Sequence, residues 1–132
     1  PEATPEQVGQ MLTAEGYTVE ETTGSWKDPD AMLEKVLHAE TGTFSFDFFD
    51  LKTDKAAYDL WKQLYGLVKE QMNTGDAVDS SSTYANVNLY RIENGGTYVA
   101  VIRVGSTVAY AGSTVDGREA VSAVLEAMGY PT

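Results

Sequence analysis

The stretch from Tyr84 to Ala111 constrains this chain more than any other. Three apolar segments, Tyr84 to Ile92, Thr97 to Val104 and Thr107 to Ala111, are separated by short polar turns. Asn94-Gly95-Gly96 supplies the positive φ angles of a tight hairpin, and Gly105-Ser106 supplies a second turn. Segments this close together can only pair antiparallel, so the region reads as a three-stranded meander. Hairpin pairing puts Ala85, Val87, Leu89, Ala100, Ile102, Val104 and Ala109 on one face. The opposite face carries Asn86, Asn88, Tyr90, Val99, Val101, Arg103, Val108 and Tyr110.

The remaining segments alternate between helical and extended patterns. Thr4 is placed to cap a helix from Pro5 to Glu15, with Val8, Met11 and Leu12 as its apolar stripe and Gly16 as its stop. Thr18 to Thr23 reads as a strand, and Gly24 to Ala31 as a loop around Asp28-Pro29-Asp30. Lys35 to Ala39 and Thr43 to Phe49 read as strands joined through Glu40-Thr41-Gly42; in the second, Phe44, Phe46 and Phe48 alternate with polar neighbours. Thr53 or Asp54 opens a long helix to about Met72 with a stripe of Ala57, Leu60, Trp61, Leu64, Val68 and Met72. Trp61 is expected in the core, near residues such as Phe46 and Leu89. Asn73 to Ser82 reads as a polar loop, and Asp116 to Met128 as a closing helix stopped by Gly129.

The expected fold is therefore α+β, a single domain over residues 1–132, in the order α-β-β-β-α-β-β-β-α. Three helices are expected on one face of an antiparallel sheet. The terminal helices share Glu6/Glu119, Val8/Val121, Leu12/Leu125, Ala14/Ala127, Gly16/Gly129 and Tyr17/Tyr130. Two explanations stand open: an internal duplication, or the same glycine stop and hydrophobic anchor used twice.

Charge narrows the partners. The net charge is −11, and through Asp79 the chain holds 6 basic against 16 acidic residues. Nucleic acid and anionic membranes would be repelled by such a surface. The absence of cysteine excludes disulfides, thiol catalysis and iron–sulfur clusters. No apolar run is long enough to span a bilayer. The chain opens at Pro1 without methionine, so a removed targeting segment is expected.

Leu12-Thr13-Ala14-Glu15-Gly16-Tyr17-Thr18-Val19, the Phe44–Phe49 strand, Gly105-Ser106-Thr107-Val108-Ala109-Tyr110 and the finish Leu125–Gly129-Tyr130 form an ordered set. Together they resemble small uncharacterised lipoproteins of Gram-positive bacteria, in which a lipobox cysteine and polar tether precede a domain of this size. The resemblance implies an extracytoplasmic, lipid-anchored or secreted protein. Any membrane association would run through an N-terminal anchor, and the sequence itself has no lipobox cysteine.

No pattern marks a catalytic, cofactor or metal site. His38 lies two residues from Glu40 in a strand, where the two would share a face, but no nucleophile accompanies them. Asp28 with Asp30, and Asp76 with Asp79, lack calcium-loop spacing and read as turn formers. Asp47 and Asp50 are a weak glycosidase pair. The favoured function is a non-enzymatic binding or interaction domain. Its expected site is an open sheet face carrying Asn86, Asn88, Tyr90, Arg103 and Tyr110, facing a protein partner or a second copy of the chain. The alternatives are an inhibitor-like module, similar to β-lactamase inhibitory protein, and a small hydrolase using Asp47 or Glu40 with His38.

Overall fold

Gly95 and Gly96 sit at φ 59° and 86° between Asn94 and Thr97, which pair across the hairpin. Two successive positive-φ residues give a turn whose twist matches the flanking strands, so glycine is required there. The Gly105-Ser106 turn joins Val104 to Thr107 with positive φ at Gly105 alone, at 59°. The computed structural model describes residues Pro1–Thr132. Its strands are β1 (Glu20–Glu21), β2 (Leu33–Glu40), β3 (Phe44–Leu51), β4 (Val78–Tyr84), β5 (Val87–Asn94), β6 (Thr97–Val104) and β7 (Thr107–Thr114). The helices are α1 (Pro5–Ala14), α2 (Asp54–Met72) and α3 (Arg118–Ala127). One antiparallel sheet of order β1-β2-β3-β7-β6-β5-β4 holds all seven strands.

The fold is α+β, with helices and strands in the expected succession and one addition. Residues 78–84, expected within and just after a polar loop, form the edge strand β4 against β5. Its serines carry no apolar period, and hydrogen bonding to a hydrophobic neighbour orders it instead.

The layering departs from expectation. Helices α1 and α3 pack on one face, where Val8, Leu12, Val121, Val124 and Leu125 meet Phe44, Phe46, Phe48, Leu89 and Ile102. Helix α2 lies on the opposite face, where Ala57, Trp61, Leu64 and Val68 cover Tyr90, Ile92, Val101 and Val108. The expectation of three helices on one face is therefore corrected to a helix–sheet–helix sandwich. Trp61 is buried as expected but on the other side from Phe46 and Leu89: it stacks on Tyr65 at 5.0 Å and donates its indole N–H to the Val101 carbonyl at 2.9 Å.

The two helix ends share one backbone geometry. In α1, Tyr17 N–H bonds to Leu12 O and Gly16 N–H to Thr13 O; in α3, Tyr130 N–H bonds to Leu125 O and Gly129 N–H to Glu126 O. Gly16 and Gly129 sit at φ 93° and 78°. Both ends are thus the same glycine-terminated stop, which calls for Gly at positive φ and favours apolar residues at the two positions its longer bond joins. The Tyr130 hydroxyl then accepts from Ala3 N–H and meets Thr107, tying the two termini together.

Candidate functional site

The antiparallel registers align one row of side chains across the α2 face: His38, Asp47, Tyr110, Val101 and Tyr90, on β2, β3, β7, β6 and β5. Helix α2 crosses β5 and β6 and buries that end of the row. Tyr90 is 1% exposed, donates to Asp79 at 2.8 Å and meets Tyr65 edge-on at 4.8 Å. Its hydroxyl pKa is driven far above the ordinary range, first by burial and then by that carboxylate.

The expected open face is therefore mostly closed. Asn88 and Arg103 are buried, with the Arg103 Nε–H donating to Asn88 Oδ1 at 2.7 Å and its Nη1 to the Gly105 carbonyl at 2.8 Å. No carboxylate pairs with Arg103; the Tyr58 ring lies 5.8 Å from its guanidinium carbon. Asn86 sits exposed in the turn before β5, and Tyr110 is half-buried beside Asp47. Of Asn86, Asn88, Tyr90, Arg103 and Tyr110, three are buried on the α2 face: Asn88 and Arg103 as a hydrogen-bonded pair, and Tyr90 separately on Asp79. A surface for an external partner is not assembled from them, because that face already has its partner in the same chain.

The other end of the row stays accessible. His38 is held between two carboxylates, Nδ1 to Asp47 at 2.7 Å and Nε2 to Glu40 at 2.8 Å. Its pKa is raised above 6.5, chiefly by the Glu40 hydrogen bond, with burial opposing and Asp47 adding. Burial also pushes the Asp47 carboxyl up, against the pull of His38. Both imidazole nitrogens are engaged by carboxylates, an arrangement that favours the protonated ring, and neither nitrogen points at a nucleophile. The three groups run in a line through the imidazole, and no set of three ligand side chains converges on a common point. Asp47 and Asp50 lie three residues apart on one strand and so face opposite sides of the sheet, which rules out the paired-carboxylate arrangement.

Above this end lies the loop that follows β1. Trp26 packs edge-on against Phe49 at 4.8 Å and its indole N–H reaches Thr22 at 3.3 Å. The Asp28 carboxylate accepts from Met32 N–H at 2.7 Å and Leu33 N–H at 3.0 Å, closing the Asp28-Pro29-Asp30 turn into a rigid flap. Asp28 is therefore a turn former. Between this flap and α2 runs a groove of about 230 Å³. Its apolar walls are Trp26, Met32, Leu33, Phe49, Leu51 and Leu60, and its rim carries Lys27, Asp30, Asp59 and Gln63. On the other side of Trp26 lies a shallow cleft lined by Thr22, Ser25, His38 and Asp47. Trp26 thus divides an apolar groove from a polar cleft. Trp26 lies within the expected loop from Gly24 to Ala31, and the one local signal for its role is a tryptophan two residues before an Asp-Pro-Asp turn.

No protein-family model matches this chain, and no curated protein does. Among solved structures it is similar to a GTP binding regulator from Thermotoga maritima, with a TM-score of 0.58 over 98% of this chain and 90% of that one, at 16% sequence identity. At that identity the likeness is one of fold. No helix is long and apolar enough to cross a membrane.

Proposed function

We propose that this chain is a non-enzymatic binding domain that takes a small, largely apolar ligand in the groove between the Trp26–Leu33 flap and α2. The observation that carries this reading is the groove itself: half-buried Trp26, Met32, Leu33 and Leu60 stand over buried Phe49 and Leu51, with a few polar groups at the rim. The acidic rim favours a neutral or cationic ligand over an anionic one. Binding is preferred to turnover because the single histidine has both nitrogens occupied by carboxylates. The extracytoplasmic, lipid-anchored address implied by the lipoprotein resemblance is part of this proposal, and mass spectrometry of the native N-terminus would test it.

The uncharged dye N-phenyl-1-naphthylamine tests the groove. The wild-type protein should brighten it saturably, and Leu60→Arg, which puts a charged chain across the groove, should weaken binding by about tenfold or more. Leu60 is only partly buried, so the variant should keep its fold. A dye that stays dark with wild type, or equal binding by Leu60→Arg, would remove the groove as the site.

A further inference from the structure

Every residue of β4 is exposed, and the strand has β5 as its one neighbour. At the sheet's other edge, β1 is two residues long, as protected edges commonly are. Strand β4 instead runs seven residues with no lysine, proline or bulge, and it carries two exposed apolar residues, Val78 at 73% and Tyr84 at 53%. An edge of this length invites another strand.

The sequence of β4 indicates which strand. A two-fold axis requires the edge to complement itself, residue i against residue j and j against i. In Val78-Asp79-Ser80-Ser81-Ser82-Thr83-Tyr84, an antiparallel copy centred on Ser81 places Val78 opposite Tyr84, Asp79 opposite Thr83 and Ser80 opposite Ser82. Both apolar residues find apolar partners on one face, and the strand's single charge meets a threonine. The backbone agrees. Tyr84 and Val87 flank a two-residue turn and form the hydrogen-bonded pair, so by antiparallel alternation Asp79, Ser81 and Thr83 turn their N–H and C=O outward. Those three residues pair with Thr83, Ser81 and Asp79 of a second copy in the same register.

The neighbouring surface is incomplete in the single chain. A cleft of about 220 Å³ beside Val78 is lined by Ser80, Arg91, Tyr98 and Arg118. Arg118 is paired with Glu93 at 2.7 Å, whereas the buried Nε of Arg91 has no hydrogen-bond partner. In the register above, Tyr84 of the second copy arrives opposite Val78, at the mouth of that cleft and on the Arg91 side of the sheet. We infer that β4 is a self-association edge: two copies of this chain join their sheets antiparallel through β4 about a two-fold axis at Ser81, each lending Tyr84 to the other's Arg91 cleft.

Sedimentation at about 0.2 mM protein in about 0.3 M salt, where repulsion between two acidic chains is screened, reads the outcome. Wild type should give twice the 14.3 kDa chain mass. Ser81→Pro removes an outward N–H and none of the β5 ladder, so it should sediment as a single chain with a cooperative melt. Ser81→Lys places two ammonium groups face to face at the axis and should also be a single chain, although it lowers the net negative charge. Tyr84→Ala should weaken the dimer by about fivefold, since symmetry removes the contact twice. If Ser81→Pro fails to fold, Ser81→Lys decides alone. A wild type with single-chain mass would leave the edge to an extended peptide and overturn the proposal. Ser81→Lys dimers as tight as wild type would overturn it equally.

Discussion

On the α1/α3 face, Phe44, Phe46 and Phe48 interlock with Val8, Leu12 and Leu125, and the strands beneath contribute alanines that let the helices approach. The α2 face is built differently: it buries Asn88, Arg103 and Tyr90 beside Trp61, and at its other end leaves His38 and Tyr110 half-buried beside the buried Asp47. The first face is held by shape and area removed from water. The second depends on hydrogen bonds that must all be satisfied, since a buried polar group without a partner is costly. The difference teaches where function can sit. Helices α1 and α3 together cover the sheet on their side and leave a cavity of about 300 Å³ only between themselves, lined by Val8, Met11 and Met128, whereas the single helix α2 leaves a flank of the sheet to the Trp26 flap.

Mutations at the centre of each face should separate the two kinds of packing. Phe46, fully buried among aliphatic neighbours, should cost about 4 kcal/mol as Phe46→Ala. Trp61→Ala should cost about 3 kcal/mol, somewhat less for a larger side chain, because it is 6% exposed and Tyr58 and Tyr65 can close over the gap. Denaturant midpoints at constant slope measure both, and a Trp61 cost well above that of Phe46 would contradict the ordering.

A smaller effect probes the buried network. Asn88→Ala strips the Arg103 Nε–H of its acceptor, and should destabilise by about 1–3 kcal/mol despite removing few apolar contacts. An unchanged midpoint would mean that water or another carbonyl takes over, and that the α2 face tolerates imperfect polar packing.

The smallest effect lies at the open end. The folded-state pKa of His38 is raised, so its contribution to stability is full below the unfolded value near 6.5 and is lost as pH climbs through the folded value. Asp47, raised by burial, acts with the same sign at acid pH: its ionisation is resisted in the fold, so stability declines as pH rises past the ordinary carboxylate range. NMR titration of the single histidine should give a midpoint above 6.5, and His38→Asn should flatten the stability profile over neutral pH. A midpoint at or below 6.5 would remove the imidazolium from the carboxylate line.

Much of this architecture follows from the sequence by itself. Period-two phenylalanines, paired turn glycines and the Leu–Gly–Tyr helix stops are local causes with local consequences, and the registers Leu89–Ile102–Ala109 and Tyr90–Val101–Tyr110 came out as hairpin chemistry requires. The face carrying Asn88, Tyr90 and Arg103 was also correctly composed, but its openness was not, because amides and an arginine read as solvated when their partners lie in other elements. Only the tertiary structure decided which side α2 would take. The chain must pass from β3 to the far edge β4, four strand spacings or roughly 19 Å away. A 19-residue helix, about 28 Å long, makes that crossing, and the face already filled by α1 and α3 leaves it the other one. The groove under the Trp26 flap arises from the same choice, so residues scattered across a loop, two strands and a helix became a site only once α2 had crossed.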